Sequence, residues 1–106
     1  MLGVLLRKFE TQLQVDKVIL GTKAISPQRG LSAESPEEAE LFRACIQVGQ
    51  RIILVTDSSK FHQSALVRIA AADVLDTVVT DAGVPAEVVE ALQEHGVSIE
   101  IVALED

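Results

Sequence analysis

The sequence contains no tryptophan and no tyrosine, and only three phenylalanines among 106 residues. Single-stranded nucleic acid is usually held by stacking its bases on aromatic side chains, so the chain is poorly equipped for that task. Basic residues are also scarce: nine Lys and Arg against sixteen Asp and Glu give a net charge of −7. A surface of that sign repels phosphate backbones, and the chain by itself is not expected to bind DNA. One cysteine allows no internal disulfide, no thiolate zinc site and no CxxC redox pair. That residue, Cys45, shares a helical pattern with Leu41, Phe42 and Ile46. It reads as a packed thiol, with a reactive thiol as the alternative. No apolar run approaches the ~20 residues of a membrane span. The opening MLGVLLRKFE lacks the order of a signal peptide, because Arg7 and Lys8 follow its short apolar part. The expectation is a soluble protein of a reducing compartment, the cytoplasm, with no membrane partner.

Several sites are missing as well. There is no GxGxxG and no GxxxxGK to cradle a nucleotide phosphate. His62 and His95 have no companions at metal-ligand spacing, and His95 reads as a helix C-terminal residue complementing the dipole. No GxSxG elbow presents a serine nucleophile. No cofactor, no metal and no catalytic residue is therefore expected.

What the chain does have is aliphatic core material, 48% apolar residues in all, arranged in alternating patterns. A chain of this length buries roughly two-thirds of its unfolded surface, enough for one domain with a real core. Leu2, Leu5, Leu6, Phe9 and Leu13 recur at helical spacing. Residues 17–22 read as a buried strand, and the polar stretch 23–34, holding Pro27 and Gly30, as a loop. Ser35 as N-cap, Pro36 at the first helical position and Glu38 at the third predict a helix to about Val48, with Gly49 as its stop. Residues 51–57 read as a second strand, 58–63 as a polar loop and 64–71 as a short helix. Residues 76–81 form a third strand. Pro85 opens a helix through Glu94, closed by His95 and Gly96, before a last strand over 97–102. Apolar strands alternating with helices predict an α/β fold with a parallel sheet covered on both faces.

In an open parallel sheet, ligands gather beyond the carboxyl ends of the strands. Those ends carry Thr22-Lys23, then Thr56-Asp57-Ser58-Ser59-Lys60, then Thr80-Asp81. Two carboxylates, two ammonium groups and several hydroxyls on one sheet edge suit a polyhydroxylated anionic small molecule. The plainer alternative is that Asp57 and Asp81 cap turns and Lys60 is a solvated loop charge.

At Asp57-Ser58-Ser59-Lys60-Phe61 the chain resembles the C-terminal sensor domain of the DeoR family of bacterial transcriptional regulators. Asp16-Lys17-Val18-Ile19-Leu20-Gly21-Thr22, Gly30-Leu31 before Glu38-Ala39-Glu40, and Thr80-Asp81-Ala82-Gly83 support it in the same order. So does the closing Glu90-Ala91-Leu92 through Gly96-Val97. The resemblance implies a three-layer α/β/α Rossmann-like sheet related to ribose-5-phosphate isomerase. It implies a domain that senses phosphorylated sugars, with Asp57, Lys60 and Asp81 as ligand-binding candidates. It also implies that residues 1–106 are a single partial sensor domain. The winged helix-turn-helix that contacts the operator, and the first strands of the sensor, lie outside them. Two departures stand out: Lys23-Ala24 where the family reads aspartate-glycine, and Phe42 where it carries a lysine. The expected function is effector sensing in a repressor. The alternatives are a structural or oligomerisation remnant without ligand, and a sugar-phosphate isomerase-like enzyme using Asp57 or Asp81 with Lys60. A strand at 17–22 left as a sheet edge predicts a homo-oligomer.

Overall fold

The computed structural model describes residues 15–103. The predicted helix over residues 2–13 lies outside them. Two sheets are present. Strands β1 (Val15–Leu20), β4 (Gly49–Val55), β6 (Thr77–Asp81) and β7 (Ser98–Val102) form a parallel sheet in the order β1-β4-β6-β7. Strands β2 (Ala24–Ser26), β3 (Gly30–Ala33) and β5 (Val67–Ala70) form a small antiparallel sheet in the order β2-β3-β5. Helix α1 (Pro36–Val48) precedes β4, and helix α2 (Ala86–Glu94) links β6 to β7. The α/β class and its four-stranded parallel sheet agree with the sequence reading.

The second sheet is a departure from it. Residues 23–34 are not a plain loop but a hairpin, with Ile25 opposite Leu31. Residues 64–71 hold no helix: β5 pairs with β3, Ser32 opposite Arg68. The physical reason is burial. Leu66, Val67, Ile69 and Ala70 fit either period, and pairing with β3 buries Ile69 beside Leu31, Ile25 and Phe61 while leaving Leu66 exposed.

Helix α1 starts as its residues dictate. Ser35 is extended, its hydroxyl accepts the backbone N–H of Glu38 at 3.2 Å, and Pro36 occupies the first turn. It ends at Val48, but Gly49 is extended instead of left-handed and pairs with Val15 as the first residue of β4. A Cβ on Gly49 would stand 2.5 Å from Val18 Cγ2, so glycine is required there for close packing. Gly96 does take the left-handed φ of +84° expected after a helix, with Val97 N donating to Leu92 O at 3.0 Å. His95 caps α2 at its C-terminus.

One core joins both sheets and both helices: Ile25, Leu31, Ala39, Leu54, Val78, Leu92 and Val97 are all buried in a single cluster. Strand order follows chain order, so right-handed crossovers set the connections on one face of the parallel sheet. The register puts Ile19, Val55 and Val102 on the other face, 68%, 49% and 45% exposed. Cys45 is half-buried, and burial pushes its thiol pKa up, as a packed thiol requires. No described helix is long and apolar enough to cross a membrane.

Candidate functional site

Three loops leave the carboxyl ends of β1, β4 and β6. The first, Gly21-Thr22-Lys23, is tied to the hairpin by the Thr22 hydroxyl, which donates to Ala24 O at 3.0 Å and lies 3.4 Å from Ser32 O. The second enters a 3-10 turn over Ser58–His62, anchored by the buried Phe61. The Asp57 carboxylate caps this turn, accepting the Ser59 N–H at 3.0 Å and the Ser59 hydroxyl. Hydrogen bonds from the Ser59 side chain and then its backbone hold the Asp57 carboxyl below the usual carboxylate range, with Lys60 adding to the effect.

The third loop is built on Asp81. One carboxylate oxygen accepts the Ser58 N–H at 2.8 Å and the other the Gly83 N–H at 2.9 Å. These bonds, that from the Ser58 backbone foremost, lower its pKa also. A Cβ on Gly83 would stand 2.5 Å from Ser58 Oγ and 3.0 Å from Asp81 Oδ1, which is why glycine closes the Thr80-Asp81-Ala82-Gly83 turn. Next to Asp81, the Thr80 hydroxyl is buried and has no hydrogen-bond partner among the described residues.

The three sequence candidates therefore separate. Lys60 lines a cleft of about 290 Å³ together with Gly21, Thr22, Lys23, Glu38 and Phe42. Asp57 and Asp81 do not line it; their oxygens serve the turns that carry Lys60 and join the β4 and β6 exits. Phe42, singled out by the resemblance as a departure from the family's lysine, lines the cleft, whereas Glu38 was not foreseen there. They stand four apart on α1 and so share a face at its amino end, a spacing readable in advance only if the helix were known to lie over the β1 exit. The cleft thus offers two ammonium groups, one carboxylate, one hydroxyl and an aromatic ring. Ammonium groups attract phosphate or carboxylate, and a carboxylate accepts from sugar hydroxyls. Among the described residues no group of three or more His, Cys, Asp or Glu could hold a metal ion. A larger hollow, about 630 Å³, lies away from the strand ends beside the antiparallel sheet, lined by Ser32 and Arg68 among others.

Comparison with known proteins bears on this geometry. The sequence profile described as the DeoR C terminal sensor domain matches residues 1–82. The chain is 41% identical over 87 residues to a protein of Escherichia coli O157:H7 whose name assigns it to repression of the aga operon. That match covers 82% of this chain and 32% of the relative. It is 42% identical over 82 residues to the transcriptional repressor AccR of Agrobacterium fabrum, covering 76% and 32%. It is 32% identical over 93 residues to the glycerol-3-phosphate regulon repressor of Escherichia coli K12, covering 88% and 37%. The matched region thus spans about a third of the length of these relatives. All three are named as transcriptional repressors and none as an enzyme.

Proposed function

The chain belongs to the DeoR C-terminal sensor domain family, and from that membership we propose that it is the effector-sensing part of a transcriptional repressor, with a phosphorylated sugar seated between Lys23 and Lys60. The single observation that carries this reading is that two lysines line one cleft at the exits of two hydrogen-bonded parallel strands, β1 and β4. The phosphate meets the two ammonium groups, and Glu38 and Thr22 meet sugar hydroxyls. Asp57 and Asp81 act behind them by holding the 3-10 turn that presents Lys60. The name of the glycerol-3-phosphate regulon repressor supports a phosphorylated effector.

No catalytic step is assigned to these residues. Asp57 and Asp81, the carboxylates named in the enzyme alternative, are committed to turn hydrogen bonds. Operator binding is assigned to a helix-turn-helix outside residues 1–106, in keeping with the charge of −7. We read these residues as the later part of a sensor domain acting in the cytoplasm as a homo-oligomer. The β1 edge and the apolar face with Ile19 and Val55 supply surface for pairing.

A thermal-shift panel of sugar phosphates tests the proposal. A ligand that binds only the folded chain adds about 2.7 kcal/mol of stability at a hundredfold excess over Kd. One compound is expected to raise Tm, with the shift lost in Lys60→Ala. No shift with any sugar phosphate overturns the proposal and favours the ligand-free oligomerisation reading.

A further inference from the structure

A hollow of about 630 Å³, larger than the sensing cleft and unused by it, has a lining unlike the rest of this acidic chain. It contains Arg29, Arg68, Gln28, Ser32 and Ser64, with no carboxylate. We propose that it is a second anion-binding site, separate from the Lys23–Lys60 cleft, in which Arg29 and Arg68 hold a small multivalent oxyanion, a phosphate ester or a polycarboxylate.

The backbone that carries the two arginines is firmly placed. Arg29 stands in the β2–β3 turn, where its N–H donates to Ser26 Oγ at 2.8 Å. The next residue, Gly30, has a φ of +81°, and a Cβ there would lie 2.0 Å from Ala70 O, so the turn is pressed directly against β5. On β5, the backbone on either side of the strand's centre is clamped from α1: Arg43 Nε donates to Ile69 O at 2.9 Å and its Nη2 to Arg68 O at 2.6 Å. Arg68 in turn donates from Nε to Arg29 O at 3.1 Å. A chain of contacts thus runs from α1 through β5 to the hairpin turn and holds both arginines at one hollow.

The chemistry left over is specific. The Arg68 bond uses Nε and spares the two terminal nitrogens of its guanidinium. The Arg29 guanidinium has no hydrogen bond among the described residues, for only its backbone is engaged. Guanidinium groups present paired N–H donors that match the two oxygens of a carboxylate or phosphate. The side-chain hydroxyls of Ser32 and Ser64 add neutral donors at the same wall. A volume of about 630 Å³ is in the range of small-molecule sites. The clamp fixes the backbone that carries both arginines, and the Nε bond of Arg68 adds to it, so less backbone freedom is lost on binding.

The test uses the full chain, with inorganic phosphate and citrate as probes, titrated by calorimetry and by amide chemical shifts. Saturable binding of one probe is expected, with shifts at residues 28–32 and 64–68 and an affinity lowered tenfold or more in Arg29→Gln. That variant removes no bond of the fold, and circular dichroism and Tm check it. Lys60→Gln is expected to leave the affinity read from shifts at residues 28–32 and 64–68 unchanged and to weaken only binding read at the Lys23–Lys60 cleft, so failure here and failure of the sensing cleft give different patterns. Citrate alone saturating assigns a polycarboxylate; phosphate alone assigns a phosphate ester. No saturation by either probe, equal affinity in Arg29→Gln, or loss in Lys60→Gln instead, overturns the proposal.

Discussion

The Asp81 carboxylate at the end of β6 accepts the backbone N–H of Ser58 at 2.8 Å, and this bond ties the exit of one strand to the turn that follows its neighbour. The same side chain accepts the Gly83 N–H, so one residue orders two loops at the rim of the sheet. Lys60, one of the two lysines that line the cleft at the β1 and β4 exits, is placed by the turn so held.

Acid should loosen this arrangement. Asp57 and Asp81 both have carboxyl pKa values held below the usual value of about 3.9, so the unfolded chain takes up protons before the folded one does. Their contribution is complete above about pH 4 and is lost as pH falls through the lowered folded values. Urea unfolding at a series of pH values from 7 to 3 is expected to show a falling midpoint below 4. The fall should be shallower in Asp81→Asn, whose midpoint is already reduced at pH 7. An unchanged slope in that variant would remove Asp81 as a cause.

Thr80→Val is expected to stabilise the fold. The threonine hydroxyl is buried without a partner among the described residues, and an isosteric methyl removes that cost, about 1 kcal/mol. A higher urea midpoint with an unchanged m-value is the result to look for. Destabilisation would mean that the hydroxyl is bonded in solution.

Gly83→Ala should act in the opposite direction. The added Cβ has no room between Ser58 Oγ and Asp81 Oδ1, and overpacking of this kind costs on the order of 1–3 kcal/mol. Amide chemical shifts should move at Ser58 as well as around residue 83. Changes confined to the glycine's own turn would contradict the contact between the two loops.

Ser35→Ala tests the start of α1. Loss of the hydroxyl that accepts the Glu38 N–H is expected to cost about 1 kcal/mol, measured by equilibrium unfolding. Because α1 also carries Glu38 and Phe42 into the cleft, a weaker sugar-phosphate thermal shift should accompany it.

Much of the fold was legible in the sequence because its cues are local. Ser35 and Pro36 begin α1, Gly96 ends α2, and the apolar runs of β4 and β6 mark a parallel sheet. The expected cover on both faces is not met among the described residues: the face with Ile19, Val55 and Val102 is exposed, and β1 has no fully buried residue. The hairpin and β5 were not legible, because strands of three and four residues are too short for a period of two to declare itself. Their identity comes from pairing across a long stretch of chain, Ser32 with Arg68, and from the core they complete with Ile25 and Ile69.

The candidate site divides along the same line. That Asp57, Lys60, Asp81 and Lys23 would stand at strand exits follows from the order of residues alone, because a parallel strand delivers whatever follows it to one edge. Which of them line the cleft was decided only in three dimensions. Unpaired N–H groups of Ser58, Ser59 and Gly83 stand within reach of the two carboxylates and engage them. Among the described residues the Lys60 ammonium has no such backbone partner, and it lines the cleft with Lys23, Glu38 and Phe42. An acceptor beside the orphan donors of a turn is bonded at once, whereas an ammonium group has only donors to offer and stays available to an anion.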